Sequence, residues 1–212
     1  MKQVLVLGAH GQIAQIVTKN LLAEDVQQKL FLRSSARLTV ANPQKEKLIE
    51  GNALSLFDLQ QAMEGVDIVY ANLAGNVVES AKNVIAAMKA KGVKRLIWIS
   101  TLGIYDEVPG EYGKWNHEQL DGGYLETYAE AAQLIEDSDL DYTIIRPAWL
   151  DNQDEVSYEL TRKGEAFKGT EVSRKSIADL VTKIIGEPSL YVRESLGVNK
   201  PNTDGNKPAW YR

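Results

Sequence analysis

The sequence contains no cysteine among its 212 residues. That absence excludes disulfide bonds, thiolate metal ligands and a cysteine nucleophile. Histidine is scarce as well, since only His10 and His117 are present. Two histidines without cysteine or a cluster of carboxylates do not make a metal site. We therefore expect no bound metal.

The sequence also has fewer basic than acidic residues, and it lacks long apolar runs. Lys and Arg total 24 against 29 Asp and Glu, which gives a formal net charge of −5. A broad basic face for nucleic acid is not expected from such a balance. No stretch approaches the roughly 20 apolar residues that cross a bilayer, and the apolar run from Val4 to Leu7 is too short for the core of a signal peptide. We expect a cytoplasmic protein without nucleic-acid or membrane partners.

Apolar and amphipathic segments alternate along the chain. The predicted strands are the apolar segments at residues 4–7, 30–32, 48–49, 67–71, 96–99 and 142–145. The predicted helices, which carry apolar residues at helical spacing, are residues 12–22, 55–63, 77–91 and 124–137. This alternation predicts right-handed βαβ crossovers and an α/β fold of the Rossmann type, with a doubly wound parallel sheet in a three-layer α/β/α arrangement.

A glycine-containing turn follows the first predicted strand, with the sequence Gly8-Ala9-His10-Gly11-Gln12-Ile13-Ala14. Glycines at this place permit a tight turn and close backbone approach, and the N-terminus of the following helix offers N–H groups and a positive dipole to a pyrophosphate. We expect Gly8 and Gly11 to form the turn, Gln12 and Ile13 to donate backbone N–H groups, and His10 to line the cleft. The alternative is a tight strand-to-helix turn without a ligand, in which His10 is structural.

An arginine stands where many dinucleotide sites have a carboxylate. In sites that prefer NAD, an acidic residue at the end of the second strand, some 20 residues past the loop, holds the ribose hydroxyls. Arg33 occupies that place here, with Ser34 and Arg37 beside it. A guanidinium pairs bidentately with a 2′-phosphate, so we expect NADP(H) as the preferred cofactor and NAD(H) as the second choice. The alternative is that both arginines only solvate a loop.

The length favours a single domain. We expect residues 1–146 to form its dinucleotide-binding core and residues 147–212 to form the substrate-side part of the same domain. Residues 102–123, rich in Gly, Pro and Tyr, are predicted to be a loop. Ser176 and Asp179 fit a capping box that opens a late helix ending near residue 185.

Five segments together resemble a known family. They are Gly8 to Gly11, Leu32-Arg33, Ile99-Ser100-Thr101, Asp141 to Pro147 and Ser173 to Leu180. In order and spacing they resemble the short-chain dehydrogenase/reductase superfamily, in particular its atypical NmrA-like NAD(P)H-binding branch, over most of the chain.

The resemblance implies further site residues. The implied cofactor contacts are Asn52 and Ala53 near the adenine, Ala71, Asn72, Leu73 and Ala74 over the adenosine ribose, and Pro147, Ala148 and Trp149 against the nicotinamide ring. Ser100 and Thr101 are implied beside the nicotinamide and, with Tyr124, are the candidate catalytic residues. For Ala71 and Ala74 the alternative is packing at the end of a strand.

The chain departs from the superfamily at one chemically important position. Many members carry a Tyr and, four residues later on the same helix face, a Lys whose charge lowers the pKa of the tyrosine, so that its phenol can relay a proton. This chain offers Tyr124 and then Tyr128. Interconversion of alcohols and ketones is therefore poorly supported, unless Lys114 reaches in from the preceding loop. Tyr124 can equally be a packed aromatic at the end of a helix.

These residues leave three hypotheses. The first is an NADPH-dependent oxidoreductase that transfers hydride to an activated small-molecule acceptor such as a quinone or flavin, where proximity and orientation supply much of the rate. The second is a non-catalytic NADP(H)-binding redox sensor that acts through a protein partner. The third, which is disfavoured, is epimerase or dehydratase chemistry on a sugar nucleotide. The aromatic residues Tyr105, Tyr112, Trp115 and Trp149 indicate a flat aromatic acceptor or, alternatively, local packing. The sequence leaves the oligomeric state open.

Overall fold

The computed structural model describes residues 1–211. In chain order, its strands and helices are β1 (Lys2–Leu7), α1 (Gln12–Leu21), β2 (Val26–Leu32), β3 (Glu46–Glu50), α2 (Leu56–Ala62), β4 (Ile68–Ala71), α3 (Val77–Lys91), β5 (Arg95–Ile99), α4 (Gly110–Gln119), α5 (Tyr124–Glu136), β6 (Asp141–Pro147), β7 (Trp149–Asp151), β8 (Glu159–Arg162), β9 (Glu171–Ser173), α6 (Arg174–Gly186) and β10 (Glu194–Asn199). A short 3-10 helix, Ser35–Arg37, follows β2. Within residues 1–211, none of the helices combines the length and apolar character that a membrane span requires.

Eight of the strands form one sheet in the order β3-β2-β1-β4-β5-β6-β10-β8. All neighbours in it are parallel except β8, which runs antiparallel to β10. Strands β7 and β9 form a separate parallel pair. The predicted doubly wound parallel sheet is confirmed, and β10 and β8 extend it beyond the six strands that the sequence pattern predicts.

Helices cover both faces of the sheet. Helices α1 and α6 pack together on one face, while α2, α3 and α5 cover the other. Strand β1 shows the consequence for the sequence, because Val4 and Val6 face the first helix layer and Leu5 and Leu7 face the second. Successive side chains of a strand point to opposite faces, so a strand covered on both sides is apolar at every position. The predicted three-layer α/β/α fold is confirmed.

The prediction of a loop over residues 102–123 is wrong in part, because α4 lies within it. This helix buries little apolar surface: its buried residues are Tyr112, Gly113 and Asn116. Gly113 is needed there, since a Cβ on it would lie 2.0 Å from the Val108 carbonyl oxygen. A helix with a glycine and an asparagine on its buried face lacks the apolar periodicity that reveals helices in a sequence.

The predicted start of the last helix is also wrong. Ser173 is the N-cap of α6, and its Oγ accepts a hydrogen bond from the Ser176 backbone N–H at 3.0 Å. The Ser176 hydroxyl instead accepts from the Ser157 backbone N–H at 2.9 Å. The helix therefore begins one turn earlier than the Ser176 capping box indicates, because two serines three residues apart compete for the cap position.

Candidate cofactor and acceptor site

Two clefts open at the carboxyl ends of the parallel strands. The chain runs outward from β1 to β3 and then crosses to β4, and ligands of such sheets bind beyond the strand ends where the order reverses. The large cleft, of about 540 Å³, follows β1 to β4 and is lined by Gly8, His10, Gly11, Phe31, Leu32, Arg33, Ser34, Arg37, Gly51, Asn52, Ala53, Leu54, Asn72, Leu73, Ala74, Gly75, Asn76 and Ser80. The small cleft, of about 180 Å³, follows β5 and β6 and is lined by Ile99, Ser100, Thr101, Leu102, Leu120, Tyr124, Pro147, Ala148, Trp149 and Leu150.

The turn between β1 and α1 brings bare backbone to the large cleft. Gly8 has a φ of +74°, in the left-handed region that glycine adopts readily. The Gly8 N–H donates to the Phe31 carbonyl oxygen at 3.0 Å, and the Gly11 N–H closes the turn on the Gly8 oxygen at 2.9 Å. Gly11 is the N-cap of α1, and no side chain caps this end. The first N–H groups of α1, including those of Gln12 and Ile13, are therefore available to an anion.

Asn72, the residue after β4, leaves no room for a side chain at either glycine. A Cβ on Gly8 would lie 2.2 Å from the Asn72 backbone oxygen. A Cβ on Gly11 would lie 2.1 Å from the Asn72 side-chain Nδ2. Gly8 is thus required by close packing against backbone at the end of β4, whereas a side chain at Gly11 would have to displace the Asn72 amide.

Cationic side chains stand at the end of β2. Arg33 and Arg37 are exposed and line the large cleft. Within residues 1–211 neither makes an ion pair with a carboxylate. Both guanidinium groups are therefore open to an anionic ligand, and a phosphate suits their geometry.

Ser100 presents an unsatisfied hydroxyl at the small cleft. Its backbone N–H donates to the Ile145 carbonyl oxygen at 2.7 Å, which fixes the residue at the end of β5. Its Oγ is buried and has no hydrogen-bond partner among the described residues. Seven buried side-chain polar atoms of the described residues lack a partner, and Ser100 is the only residue among them that lines either cleft, where a ligand could supply the partner. Thr101, next to it, also lines the small cleft.

Tyr124 and Tyr128 lie together at the start of α5. Their ring centroids are 4.6 Å apart, and Tyr124 is 42% exposed while Tyr128 is buried. Burial raises the pKa of Tyr128 well above its ordinary value, and the neighbouring Tyr124 adds to the shift. Lys114 does not supply the missing cation, because its ammonium pairs with Glu111 at 2.6 Å on the exposed face of α4. Within residues 1–211, no charged side chain lines the small cleft.

An aromatic cluster forms one wall of the small cleft. Trp149 lines the cleft, and its indole N–H donates to the Asn116 Oδ1 at 2.8 Å. Trp115 packs behind it with ring centroids 4.7 Å apart, and Tyr211 meets both indoles edge-on. Asn116 therefore fixes the orientation of the indole that a ligand in this cleft would meet.

Tyr105 lies away from both clefts and is packed, as the alternative of local packing has it. Its ring stacks on the guanidinium of the buried Arg146, and its hydroxyl donates to Glu136 at 2.8 Å. Tyr112 is likewise packed, with its hydroxyl donating to the Thr170 carbonyl oxygen at 2.8 Å. Trp149 is thus the only one of the four predicted aromatic residues among those that line the small cleft.

A buried ion pair braces the loop after β5. Arg146, which is fully buried on β6, pairs with Glu107. The Glu107 carboxylate also accepts the backbone N–H groups of Gly103 and Tyr105, each at 3.0 Å. The guanidinium is further held by the Ser195 hydroxyl at 3.0 Å. This network ties the loop behind Ser100 and Thr101 to two strands of the sheet.

The structure brings the predicted site residues into two groups. The group at the large cleft is Gly8, His10, Gly11, Arg33, Ser34, Arg37, Asn52, Ala53, Asn72, Leu73 and Ala74. The group at the small cleft is Ser100, Thr101, Tyr124, Pro147, Ala148 and Trp149. Gln12, Ile13 and Ala71 line neither cleft. Gln12 and Ile13 are the first residues of α1, where the prediction concerns their backbone N–H groups, and Ala71 packs in the core, 1% exposed, as the packing alternative has it. The bare backbone and open guanidinium groups fit a phosphorylated dinucleotide.

Sequence reasoning missed several residues that shape the site. Leu54 lines the large cleft, and Leu120 and Leu150 line the small one. Single leucines in loops carry no motif, so no signal identifies them. Asn116 and Glu107 could be found only through their partners, which lie 33 and 39 residues away in the chain.

Comparison with known proteins agrees with this geometry. A protein-family model described as NAD(P)H-binding matches residues 8–188. A Rossmann-fold NAD(P)-binding family protein from Shigella flexneri is 45% identical and superposes with a TM-score of 0.85 over 100% of both chains. A short-chain dehydrogenase/reductase from Veillonella parvula, solved in complex with NADP, is 30% identical with a TM-score of 0.93 over 99% of both chains. The NAD(P)H azoreductase of Xenophilus azovorans is 22% identical over 194 residues, and the match spans 87% of this chain but only 64% of the azoreductase.

The family match covers the glycine turn, both clefts and the strands between them. The predicted relationship is therefore confirmed at the level of the superfamily. The chain belongs to the NAD(P)H-binding family, within the short-chain dehydrogenase/reductase superfamily of oxidoreductases.

Proposed function

We propose that this protein is an NADPH-dependent reductase of a neutral, planar, electron-poor acceptor, such as a quinone, a flavin or an azo compound. The observation that carries the proposal is the lining of the small cleft. It contains the unpaired Ser100 hydroxyl and the Trp149 indole, and within residues 1–211 no charged side chain is part of this lining. A cleft of this kind favours an uncharged aromatic ligand over an acid or a phosphate ester. The named activity of the azoreductase relative supports the same acceptor class.

NADPH is the proposed cofactor because of the end of β2. Arg33 and Arg37 line the large cleft and have no ionic partner in the described chain. Their guanidinium groups can therefore replace the water that a 2′-phosphate loses when it binds. The NADP bound by the Veillonella parvula relative supports the same preference. The glycine turn and the N-terminus of α1 serve the pyrophosphate, which NADPH and NADH share, so selectivity rests on the arginines.

The chemistry places few demands on the protein. The bound nicotinamide supplies a hydride, and the acceptor takes up that hydride and one proton from solvent, so two electrons are transferred. Ser100 Oγ donates a hydrogen bond to the acceptor heteroatom on which negative charge develops. The exposed Tyr124 hydroxyl passes the proton from water. Tyr128 stays protonated because burial raises its pKa, and it supports the Tyr124 ring.

Replacing Arg33 with alanine should raise the Kd for NADPH about 10- to 100-fold, because one or two charge-assisted hydrogen bonds to a phosphate are lost. The Kd for NADH should stay within about twofold of the wild-type value, since NADH carries a neutral hydroxyl where NADPH carries the 2′-phosphate. Calorimetric titration of both nucleotides measures the two values. The matched control is Arg162→Ala, which removes an exposed arginine that pairs with Glu194 on the far edge of the sheet. An unchanged preference in Arg33→Ala would remove the arginine from the cofactor site.

Replacing Ser100 with alanine should lower kcat with a quinone about 10- to 100-fold and leave the Kd for NADPH unchanged. The expected loss lies at the lower end for an oxyanion donor because a quinone delocalises its developing charge. Ser189→Ala is the control, since Ser189 lies in a depression at the amino ends of β4, β5 and β6, at the other end of the strands from both clefts. Stopped-flow measurement of NADPH oxidation gives kcat. A Ser100→Ala enzyme with wild-type turnover would exclude this hydroxyl from the reaction.

The proposal as a whole is tested by an acceptor screen. Purified protein saturated with NADPH is mixed in turn with a benzoquinone, a naphthoquinone, a free flavin and an azo dye, and the loss of NADPH absorbance is followed. Turnover with at least one of them, and none with an aliphatic ketone, is the expected result. Tight NADPH binding without turnover on any acceptor would overturn the reductase assignment.

A non-catalytic NADP(H) sensor is the second candidate, and Tyr128 favours it. This residue occupies the position of the lysine in many relatives, and its buried phenol has a raised pKa instead of a cation's charge. A sensor binds NADPH and NADP with different effects on a protein partner and gives no turnover in the acceptor screen. Epimerase or dehydratase chemistry on a sugar nucleotide is not favoured, because the small cleft offers no cation to a diphosphate.

A further inference from the structure

We propose that Glu50 and Ser35 form a clamp that sets the preference for NADPH over NADH by holding the turn that carries Arg37 and keeping a carboxylate away from the arginines. This inference rests on the proposed NADPH-binding function. Within residues 1–211, Glu50 and Ser35 make no hydrogen bond to the glycine turn, so we expect them to act on the adenosine end of the cofactor site. Both are positioning residues.

The clamp forms where two strands end side by side. Leu32 of β2 and Glu50 of β3 are register partners, and the Gly51 N–H donates to the Leu32 oxygen at 3.1 Å just beyond them. Arg33 follows Leu32 directly. A carboxylate is therefore placed one strand away from the arginine that we assign to the 2′-phosphate.

The carboxylate is held by a single residue of the turn. Glu50 Oε2 accepts the Ser35 backbone N–H at 2.8 Å and the Ser35 hydroxyl at 2.7 Å. These two hydrogen bonds, the backbone one first, hold the pKa of Glu50 below its ordinary value. The group is therefore ionised at neutral pH, and the clamp is closed there.

The turn has little else to fix it. The 3-10 helix Ser35–Arg37 contains no buried residue, and no side chain caps it at Ser34. In its backbone, the Arg37 N–H donates to the Ser34 carbonyl oxygen at 3.2 Å and the Leu38 N–H donates to the Ser35 carbonyl oxygen at 3.1 Å. Leu38, directly after the turn, packs against the core, and the bonds to Glu50 add a polar link between the turn and the end of β3. We infer that this polar link orders Arg37 before the cofactor binds. Ordering a binding loop in advance improves affinity because less conformational freedom is lost on binding.

The clamp also determines which groups the Glu50 carboxylate can bind. A free carboxylate at this strand end could pair with Arg33 and neutralise it, or accept the ribose hydroxyls of NADH. Neither arginine pairs with Glu50 in the described structure, where the two hydrogen bonds from Ser35 to Oε2 orient the carboxylate toward the turn. The chain therefore keeps an acidic residue in this region without the NADH preference that such a residue confers elsewhere.

The test compares Glu50→Gln with Glu50→Ala, two variants of equal charge. Glutamine retains an oxygen that accepts from Ser35, whereas alanine removes the link to the turn. We expect the ratio of Kd for NADH to Kd for NADPH to be at least at the wild-type level in Glu50→Gln and about five- to tenfold lower in Glu50→Ala. Ser35→Ala, which keeps only the backbone bond, should lie between them. Calorimetry supplies the Kd values and needs no acceptor.

Titration with adenosine 2′,5′-bisphosphate and with adenosine 5′-monophosphate localises the effect. Glu50→Ala should weaken binding of the bisphosphate and leave the affinity for the monophosphate unchanged. A general loss of folding would weaken binding of both nucleotides. Equal ratios of the Kd for NADH to the Kd for NADPH in Glu50→Gln and Glu50→Ala would overturn the proposal of a clamp. If the wild-type protein itself does not prefer NADPH, the proposed cofactor fails, and that outcome is separate from a failure of the clamp.

Discussion

Replacing Gly8 with alanine should weaken NADPH binding at least about a hundredfold, because the hydrogen bonds that the start of α1 donates to the pyrophosphate, each contributing about 1.5–3 kcal/mol, would be displaced. The alanine Cβ would lie 2.2 Å from the Asn72 backbone oxygen, a distance that no real Cβ contact shows. A backbone oxygen at the end of a strand cannot rotate away as a side chain would. The glycine turn must therefore shift, and with it the N–H groups at the start of α1 that serve the pyrophosphate.

Gly65→Ala is the matched control for this prediction. Gly65 has a φ of +68°, close to the +74° of Gly8, but a Cβ there meets nothing within 4 Å. Both variants carry the cost of a left-handed alanine, about 1–2 kcal/mol. The comparison of Kd values by calorimetry, together with unfolding curves, therefore isolates the clash. Wild-type NADPH affinity in folded Gly8→Ala would show that the turn does not hold the cofactor.

Replacing Arg146 with alanine should lower the free energy of unfolding by about 3–5 kcal/mol, because Glu107 is then left buried and charged without its partner. Arg146 is fully buried, and its guanidinium also donates to the Ser195 hydroxyl and stacks on the Tyr105 ring. Few single substitutions of a surface arginine approach this cost. Urea denaturation, followed by circular dichroism, measures it.

Arg162→Ala again provides the comparison, since the exposed pair between Arg162 and Glu194 should contribute no more than about 1 kcal/mol. Arg146→Ala should also reduce turnover in the molecules that stay folded, because the loop after β5 loses its tie to β6. A loss of stability below about 1 kcal/mol in Arg146→Ala would mean that Glu107 finds another partner or a proton at no cost.

The sequence predicts the parts of this protein that follow from local periodicity. The last four residues of β1, Val4 to Leu7, are all apolar, and α3 ends at Gly92 with a φ of +69°, so both features are visible in the residues themselves. The glycine turn and Arg33 are local as well, because the turn and the end of β2 lie at a spacing that the fold dictates. Such features need no knowledge of distant contacts.

The remaining features depend on residues that are far apart in the chain. Glu107 and Arg146 are 39 residues apart, and nothing near either one indicates the other. Helix α4 is stabilised by packing of Tyr112 and Asn116 rather than by an apolar stripe, so periodicity misses it. The pairing of Ser35 with Glu50 exists only because β2 and β3 end together. Tertiary packing decides each of these, and local propensity does not.

The aromatic wall of the small cleft gives the protein an optical property. Three of its four tryptophans lie in one cluster, where Trp149 is 4.7 Å from Trp115 and 6.4 Å from Trp210. Trp98, the fourth, is sealed in the core. Three indoles therefore lie beside the cleft that we propose for the nicotinamide. Since a reduced nicotinamide absorbs in the range where indoles emit, we expect NADPH binding to change the intrinsic fluorescence of the protein.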